Sequence, residues 1–280
     1  DQLGKLGILH PPQAAPIPER LGEFRLLRQL GRGGMGVVYL AEQEPLNRQV
    51  ALKLVHPEQR FFPGARERFR REVLSVARLQ HPGIVPILTC GEAEGIPFYA
   101  MELVAGASLS EIVHELAGTA PAALDGPALR QALQRAMAKK QDDTAITDAP
   151  VFRGAWTSVC CRMMLDATEA LQHAHAQGVV HRDVKPSNLL LTATGRVRLI
   201  DFGLASAQGE QRITRSGSAF GSLPYMAPEQ VRGDVGAIDA RTDVYALGVT
   251  LYELLTLTLP HGDGSGTTRE RILAGLVEPP

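Results

Sequence analysis

Residues 181–188, HRDVKPSN, bring a histidine, two cations, a carboxylate and an amide together in one short segment. Proline lacks an N–H donor, and Asp and Asn favour turns, so this segment is predicted to be a loop. Within it, Asp183 could accept a proton from an attacking hydroxyl or orient that hydroxyl. Lys185 would neutralise charge on a transferring phosphoryl group, and Asn188 offers a neutral oxygen to a divalent cation.

A second carboxylate follows this loop in the short motif DFG, which begins at Asp201. The strand-like run RVRLI precedes Asp201 and a glycine follows shortly after it, so the carboxylate is predicted to lie at a turn. A hard carboxylate oxygen is suited to Mg²⁺ that bridges phosphate oxygens. Asn188 and Asp201 are therefore candidate metal ligands.

A glycine-rich run, GRGGMG, covers residues 31–36. Its glycines are Gly31, Gly33, Gly34 and Gly36. Backbone amides without side chains can approach phosphates closely, but the same string also fits a dinucleotide-binding turn or a plain hairpin. A dinucleotide site would have the glycines open a helix, whereas the residues that follow, VVYLAEQ, favour a second strand. A phosphate-covering flap and a structural turn remain as interpretations.

Lys53 lies in the run QVALKLV, with strand-forming apolar residues on both sides. Burying such a lysine is costly unless an anion meets it, which suggests a phosphate clamp; the alternative is a solvated lysine on an edge strand. A carboxylate from the next helix could hold the clamp in place. Glu72 is the better candidate because it adjoins the apolar-face residue Val73, whereas Glu67 lies a turn earlier and is expected to be solvated.

The elements that must position these residues change character along the chain. Strand-like runs joined by turns, FRLLRQL, VVYLAEQ and QVALKLV, predict an antiparallel meander. One amphipathic helix follows, with Phe69, Val73, Val76 and Leu79 on one face, and then two further strand-like runs, GIVPILTCG and IPFYAMELV. These runs predict a small β-rich lobe over residues 21–104.

Residues 105–280 are mainly helical in pattern, with helices predicted in SLSEIVHELA, WTSVCCRMMLDATEALQHAHAQG and TDVYALGVTLYELLT, the last of them buried. The fold class is therefore α+β, and residues 1–20 form a proline-rich arm. Between the first two helices, residues 118–152 are alanine-rich and less patterned. Leu129, Leu133 and Met137 have helical spacing there, so a helical insertion and a mobile loop are both open.

Net charge and cysteine content limit the kinds of partner and compartment that the sequence favours. The chain has 280 residues and a formal net charge of −1, so no global field favours nucleic acid or an anionic membrane. Cys90, Cys160 and Cys161 form no even disulfide framework and are interpreted as reduced thiols in the cytoplasm. No apolar run is long enough to span a membrane, although an anchor outside this sequence stays compatible with it.

The motifs GRGGMGVV, VALK, HRDVKPSN, DFG and APE occur in the order of the protein kinase signature. From about Leu21 onward, the sequence resembles the eukaryotic-like (Hanks-type) serine/threonine kinases of bacteria. The resemblance implies a bilobal fold, ATP and Mg²⁺ as cofactors, with Mn²⁺ as an alternative metal, and proteins as phosphate acceptors.

The resemblance also implies roles for matching positions. Lys53 would pair with Glu72 and hold the α- and β-phosphates under the glycine-rich loop. Asp183 would be the catalytic base, with Asn188 and Asp201 as Mg²⁺ ligands. Lys185, two residues after the base, matches the serine/threonine class rather than the tyrosine kinases.

The adenine pocket is assigned in the same way. Val38 and Ala51 resemble its roof and Leu190 its floor. In YAMELV, Met101 resembles the gatekeeper. The backbones of Glu102 and Val104 would hydrogen-bond to adenine.

Residues 201–229 resemble an activation segment. Arg182, beside the catalytic aspartate, needs an anion to order it, which suggests control by phosphorylation, including autophosphorylation. Thr214, Ser216 and Ser218 are the candidate sites, with ordinary loop polar residues as the alternative. Ser222 matches a position that contacts the base and Lys185.

Two features depart from the family pattern. Kinases of this type have further helices that bring an arginine to the glutamate of APE, here Glu229, and no matching arginine follows. We therefore expect the last helices of the lower lobe to be missing from this chain. The segment 118–152 is also longer than the usual connection.

The predicted function is transfer of the ATP γ-phosphoryl group to serine or threonine hydroxyls of proteins. The alternative is a catalytically silent, kinase-like scaffold or binding module. The presence of Lys53, Asp183, Asn188 and Asp201 argues against that alternative.

Overall fold

A computed structural model describes residues 19–33, 36–55, 65–202, 222–262 and 267–279 of the chain. These residues form two lobes, a β-rich one ahead of residue 105 and a mainly helical one after it. The arm 1–18, Gly34 and the segment 203–221 with its candidate phosphorylation sites lie outside the described residues.

The first lobe is built on an antiparallel sheet of six strands within the described ranges, in the order β1-β2-β3-β4-β6-β5. The strands are β1 (Arg20–Leu21), β2 (Phe24–Gly33), β3 (Gly36–Gln43), β4 (Arg48–Val55), β5 (Ile87–Ala93) and β6 (Ile96–Glu102). Each of the predicted strand-like runs therefore forms a strand. Arg20, assigned by composition to the arm, pairs with Arg25 at the edge of this sheet.

The sheet has a core on each face, because successive side chains of a strand point to opposite sides. On one face Leu52 packs in a cluster with Phe24 and Phe98. On the other face Ala51 packs with Met101 and with Val73 of helix α1 (Ala65–Ala77). Burial on both faces explains why QVALKLV is almost continuously apolar.

The second lobe contains the remaining described helices and a small sheet. The helices are α2 (Leu109–Leu116), α3 (Gly126–Lys139), α4 (Trp156–Ala176), α5 (Pro228–Arg232), α6 (Ala240–Thr256) and α7 (Thr268–Ala274). Strands β7 (Gly106–Ser108), β8 (Leu189–Thr192) and β9 (Val197–Leu199) pair antiparallel in the order β7-β8-β9. This small sheet carries the ends of the two polar loops, which brings them close to the chain that links the lobes.

The segment 118–152 contains a packed helix, which decides between the two interpretations of its sequence. Leu129, Leu133 and Met137 of α3 are at most 2% exposed and belong to the core of the helical lobe. Asp125 caps the helix by accepting a hydrogen bond from the Ala128 amide at 2.9 Å. Helix α3, and with it the segment 118–152, is therefore part of the folded lobe.

Helix α6 is less uniformly buried than its apolar sequence predicts. Val244 is 62% exposed, whereas the carboxylate residue before it, Asp243, is fully buried. The helix therefore has one solvated stripe, and its buried aspartate must be satisfied by hydrogen bonds from elsewhere in the fold.

Strand β9 also connects the lobes. The Leu199 amide donates to the Gly83 carbonyl at 2.8 Å, and the Val85 amide donates to the Leu199 carbonyl at 3.0 Å. These bonds fix the chain that leads into Asp201 against the β-rich lobe. In the described part of the chain, none of the helices is both long enough and apolar enough to cross a bilayer.

Candidate active site

A cavity of about 1000 Å³ lies between the lobes and collects most of the predicted site residues. Those that line it are Gly31, Gly33, Gly36, Val38, Ala51, Lys53, Met101, Glu102, Val104, Asp183, Lys185, Asn188, Leu190 and Asp201. Gly34 lies outside the described residues. Five separate segments of the sequence thus converge on one space.

Lys53 and Asp201 meet directly inside this cavity. The Lys53 Nζ lies 2.6 Å from Asp201 Oδ2, with the two side chains only 8% and 16% exposed. The other carboxylate oxygen of Asp201 accepts a hydrogen bond from the Tyr99 hydroxyl at 2.6 Å. Lys53 and Tyr99 are register partners on β4 and β6, so the sheet presents both donors to the same carboxylate.

The electrostatics of this trio favour the charged carboxylate. Burial alone would raise the pKa of Asp201, but the Lys53 ammonium and the hydrogen bonds from Lys53 and Tyr99 outweigh it and hold the pKa below its usual value. Burial and the neighbouring Asp201 charge raise the pKa of Tyr99 well above its ordinary value. Tyr99 is therefore a neutral donor, and Asp201 is an anion available to a cation.

Glu72, the predicted partner of Lys53, is half-buried on α1 next to the buried Val73. It lies outside the residues that line the cavity, and Lys53 forms an ion pair with Asp201. Pairing of Glu72 with Lys53 stays a prediction.

The loop 181–188 has a dense local network. Lys185 Nζ donates to both carboxylate oxygens of Asp183, at 3.0 and 2.8 Å, and to Ser222 Oγ at 2.6 Å. Asn188 Nδ2 donates to the Asp183 carbonyl at 2.7 Å and to its Oδ2 at 3.0 Å. Because its amide nitrogen is engaged in this way, the Oδ1 of Asn188 is the atom left for another partner.

Asp243 holds the start of this loop from below. Its buried carboxylate accepts hydrogen bonds from the amides of His181 and Arg182, at 2.8 and 2.7 Å, and contacts His175 Nε2 at 2.7 Å. Arg182 has a φ of +65°, an unusual conformation for a residue with a side chain. The bonds to Asp243 stabilise that conformation.

His181 connects the loop to the chain before Asp201. Its Nδ1 accepts a bond from the Asp183 amide at 3.3 Å, so its Nε2 carries the proton donated to the Ile200 carbonyl at 3.0 Å. Burial lowers the pKa of His181, against the opposing effect of the Asp243 charge, and its ring packs on Phe202 at 4.6 Å. Neutral His181 therefore couples the two polar loops.

The glycines of the glycine-rich hairpin differ in their surroundings. A Cβ at Gly36 would lie 1.9 Å from the Leu54 carbonyl oxygen, so Gly36 permits close approach of β3 to β4. A Cβ at Gly31 or Gly33 would meet no described heavy atom within 4 Å, and both residues line the cavity. Open space therefore surrounds both glycines at the edge of the cavity.

The chain between the lobes is braced by an ion pair that sequence reasoning missed. Arg198 of β9 donates to the Glu102 carboxylate at 2.7 and 3.1 Å and to the Ile84 carbonyl at 3.2 Å. The Glu102 side chain is thereby engaged with β9 while its residue still lines the cavity.

Glu229 of the APE motif accepts a hydrogen bond from Thr242 Oγ1 at 2.6 Å. The described structure thus gives this carboxylate a hydroxyl partner at the start of α6, whereas the family resemblance implies an arginine partner.

Tyr99 and Asp243 are the other residues that sequence reasoning did not single out. Strand alternation places Tyr99 on the same face as Met101, which would have directed it toward the cavity. No comparable local signal marks Asp243, because an aspartate near the start of a helix usually serves the helix terminus.

Comparisons with known proteins agree with this geometry. A model of the protein kinase domain matches residues 24–277. Over 244 residues, the chain is 38% identical to the serine/threonine-protein kinase PknB of Mycobacterium leprae, covering 85% of this chain and 33% of that protein. It is also 38% identical to the DNA damage-responsive serine/threonine-protein kinase RqkA of Deinococcus radiodurans, over 83% of this chain and 30% of that protein. The chain thus spans about a third of the length of these curated relatives.

Solved structures give the same result. The crystal structure of the Mycobacterium tuberculosis PknI kinase domain is 28% identical and superposes with a TM-score of 0.58, covering 88% of this chain and 79% of that one.

Proposed function

Since the chain belongs to the protein kinase domain family, we propose that it transfers the γ-phosphoryl group of ATP to serine or threonine hydroxyls of proteins. The family uses ATP and a divalent metal ion, generally Mg²⁺. We assign Mg²⁺ to this chain, with Mn²⁺ as the alternative, and treat residues 21–280 as the kinase domain, with its lobes meeting at residues 104 and 105.

One observation carries this proposal: the side chains of Lys53, Asp183, Lys185, Asn188 and Asp201 line a single cavity under a glycine hairpin. Phosphoryl transfer requires mainly positioning and neutralisation of charge, and two ammonium groups with two carboxylates supply both. The space above Gly31 and Gly33 allows backbone amides to approach phosphates.

The donor set fits a magnesium nucleotide. Asp201 is an anionic carboxylate, and the free Oδ1 of Asn188 is a neutral oxygen, both of the hard kind that Mg²⁺ prefers. Bound Mg²⁺ would neutralise charge on the phosphates. Lys53, already within hydrogen-bond distance of Asp201, would meet the same phosphates from the β-rich lobe.

The acceptor hydroxyl is proposed to bind next to Asp183. Lys185 keeps that carboxylate oriented and is itself held by Ser222, at the first described residue after the segment 203–221. Asp183 would accept or orient the proton of the hydroxyl, and Lys185 would stabilise charge as the phosphoryl group moves.

Control by phosphorylation of the activation segment is part of the proposal. Arg182 lines the cavity, and its Nε is buried without a hydrogen-bond partner among the described residues. A phosphate on Thr214, Ser216 or Ser218 would supply the missing anion, and autophosphorylation is the simplest source of it.

A cytoplasmic setting suits this activity. Cys90, Cys160 and Cys161 are free thiols in the structure, as expected in a reducing compartment.

The decisive experiment is transfer from labelled ATP with Mg²⁺, followed by mapping of the phosphorylated residues. Asp183→Asn should lower transfer at least about 100-fold, because it removes the base, while ATP binding is retained. Asp148→Asn is the matched control, since Asp148 lies in an exposed ion pair with Arg153. Label on tyrosine alone, or parental rates in Asp183→Asn, would contradict the proposal. ATP binding without transfer in the parent would favour the silent scaffold.

A further inference from the structure

The insertion reaches the candidate nucleotide cavity. After α3 ends at Lys139, the chain turns back along the cavity wall, and Lys140, Gln141, Asp142 and Thr144 all line it. The turn is tight, since Gln141 has a φ of +55°. A segment absent from the usual kinase connection therefore forms part of the wall beside the link between the lobes.

Two side chains of this wall grip one backbone residue, Gly106. Lys140 Nζ donates to the Gly106 carbonyl at 2.9 Å, and Asp142 Oδ2 accepts from the Gly106 amide at 3.2 Å. Gly106 follows the link and opens β7, and a Cβ there would lie 2.2 Å from the Leu191 carbonyl. We call Lys140, Asp142 and Gly106 the insertion clamp.

The clamp also controls a charge at the cavity. Glu111 lines the cavity, and its Oε2 accepts from the Ser108 amide at 2.7 Å, from the Ser108 hydroxyl at 2.9 Å and from Lys140 Nζ at 3.0 Å. Lys140 therefore neutralises the one carboxylate of α2 that faces this space. Without Lys140, that carboxylate would repel the phosphates of an anionic nucleotide.

The wall itself is anchored to the core of its lobe. Arg130 of α3 donates to the Ile146 and Thr147 carbonyls at 2.7 and 3.1 Å, and the Thr147 amide donates to the Ala193 carbonyl at 2.9 Å. The Thr144 amide donates to Asp142 Oδ1 at 3.1 Å, which orients the carboxylate that holds Gly106. Side chains with locked surroundings position a site better than loop side chains do.

We propose that the insertion is a nucleotide-affinity element: Lys140 and Asp142 are positioning residues that clamp Gly106, aim Glu111 and thereby set the affinity for ATP. This inference rests on the proposed kinase function, because it assigns the cavity to a nucleotide. It adds a role for a segment that the family signature does not contain.

A neighbouring cluster supplies the control. Lys139, the residue before Lys140, pairs with Glu115, as does Arg135 at 3.1 Å, on the solvent side of the same helices. Lys139 is 65% exposed and lies outside the cavity lining, whereas Lys140 is 24% exposed and lines it. Substituting these adjacent lysines separates an effect on the cavity from a general effect on the helix.

The test measures binding of Mg²⁺·ATP by titration calorimetry in the parent and in Lys140→Ala, Asp142→Ala and Lys139→Ala. Lys140→Ala and Asp142→Ala should each weaken binding about tenfold, whereas Lys139→Ala should bind as tightly as the parent. A further variant, Lys140→Arg, keeps the positive charge and should retain most of the parental affinity. The KM for ATP should rise in parallel while kcat stays within about twofold, because the clamp does not touch the transferring group.

Hydrogen exchange gives a readout that needs no nucleotide. The peptide that contains the Gly106 amide should exchange faster in Asp142→Ala than in the parent, and Lys139→Ala should match the parent. Equal ATP affinity in Lys140→Ala and Lys139→Ala would overturn this inference but not the proposed function. A fall of both kcat and melting temperature in the clamp variants would do the same. A parent that binds no nucleotide would overturn the proposed function as well.

Discussion

The loop 181–188, which we propose to be catalytic, and the wall of residues 140–144 line the same cavity, but different kinds of contact hold them in place. In the catalytic loop, Asp183 is held by residues two and five positions away, Lys185 and Asn188. In the wall, Lys140 and Asp142 hold Gly106, 34 and 36 positions away. A local network can be recognised in a sequence because its members are adjacent, whereas the wall becomes visible only when the fold brings distant segments together.

The difference extends to what each region should control. Polar groups aimed at the reacting atoms affect the rate constant, whereas groups that shape the rest of a ligand site affect affinity. The same substitution in the two regions should therefore change different kinetic parameters.

The largest effect is expected from Lys185→Met compared with Lys140→Met. Lys185→Met removes the cation that we propose to neutralise charge on the transferring group, and it should lower the single-turnover rate constant by about 100- to 1000-fold. ATP affinity should be nearly unchanged in that variant. Lys140→Met should show the reverse pattern, and equal rate losses in both would erase the distinction between the two regions. Rapid-quench transfer assays over a range of ATP concentrations measure both quantities.

Helix α3 of the segment 118–152 is expected to contribute to the stability of the helical lobe. Leu133→Ala in α3 should lower the free energy of unfolding by about 3 kcal/mol, because it leaves a cavity at a fully buried position. Leu165→Ala is the control, since Leu165 of α4 is 58% exposed and its truncation should cost less than about 0.5 kcal/mol. Urea unfolding followed by circular dichroism compares the two. Equal losses of stability in the two variants would mean that the packing of α3 contributes little to the stability of the lobe.

Most of the fold, and the presence of a polar loop at residues 181–188, could be predicted from the sequence for a local reason. The strands of the β-rich lobe follow from alternation and turn residues, and α3 follows from the spacing of Leu129, Leu133 and Met137. The order of the motifs then brought Lys53 and Asp201 to a common site. Each of these inferences uses residues that are close in the chain or a pattern that recurs in order.

The remaining contacts join residues that no local pattern relates. Tyr99 and Asp201 are 102 positions apart in the chain. Asp243 lies 61 positions from Arg182, whose amide donates a hydrogen bond to the Asp243 carboxylate. From the sequence, a lone tyrosine in an apolar strand is predicted to be a core residue, and an aspartate near the start of a helix is predicted to be a surface residue. Only tertiary packing shows that both are directed at the polar loops.

Tyr99→Phe tests one of these long-range contacts. Loss of the hydrogen bond to the Asp201 carboxylate should cost about 2 kcal/mol of stability, because bonds to charged groups are the stronger ones. It should also weaken Mg²⁺·ADP binding about tenfold, since the carboxylate loses the donor that orients it. Tyr225→Phe removes a comparable bond, to Glu253 at 2.5 Å, away from the cavity. It should match the loss of stability and leave nucleotide binding unchanged, as measured by urea unfolding and calorimetry.

The smallest effect separates helix capping from the insertion clamp. Ser108 caps α2 by accepting from the Glu111 amide at 3.2 Å, and Asp125 caps α3. Ser108→Ala and Asp125→Ala should each lower stability by about 1 kcal/mol, the usual value of such a cap. Ser108 borders the cavity, and in that variant Glu111 would lose the bond from Ser108 Oγ at 2.9 Å but keep its bonds from the Ser108 amide and Lys140.

ATP affinity in Ser108→Ala should therefore stay within about threefold of the parent, less than the effect expected for loss of the clamp. A larger fall would mean that the cap, rather than Lys140, aims the Glu111 carboxylate. The orientation of the Glu111 carboxylate would then be set within α2, a helix that the sequence predicts. The insertion would act on the cavity through Gly106 alone.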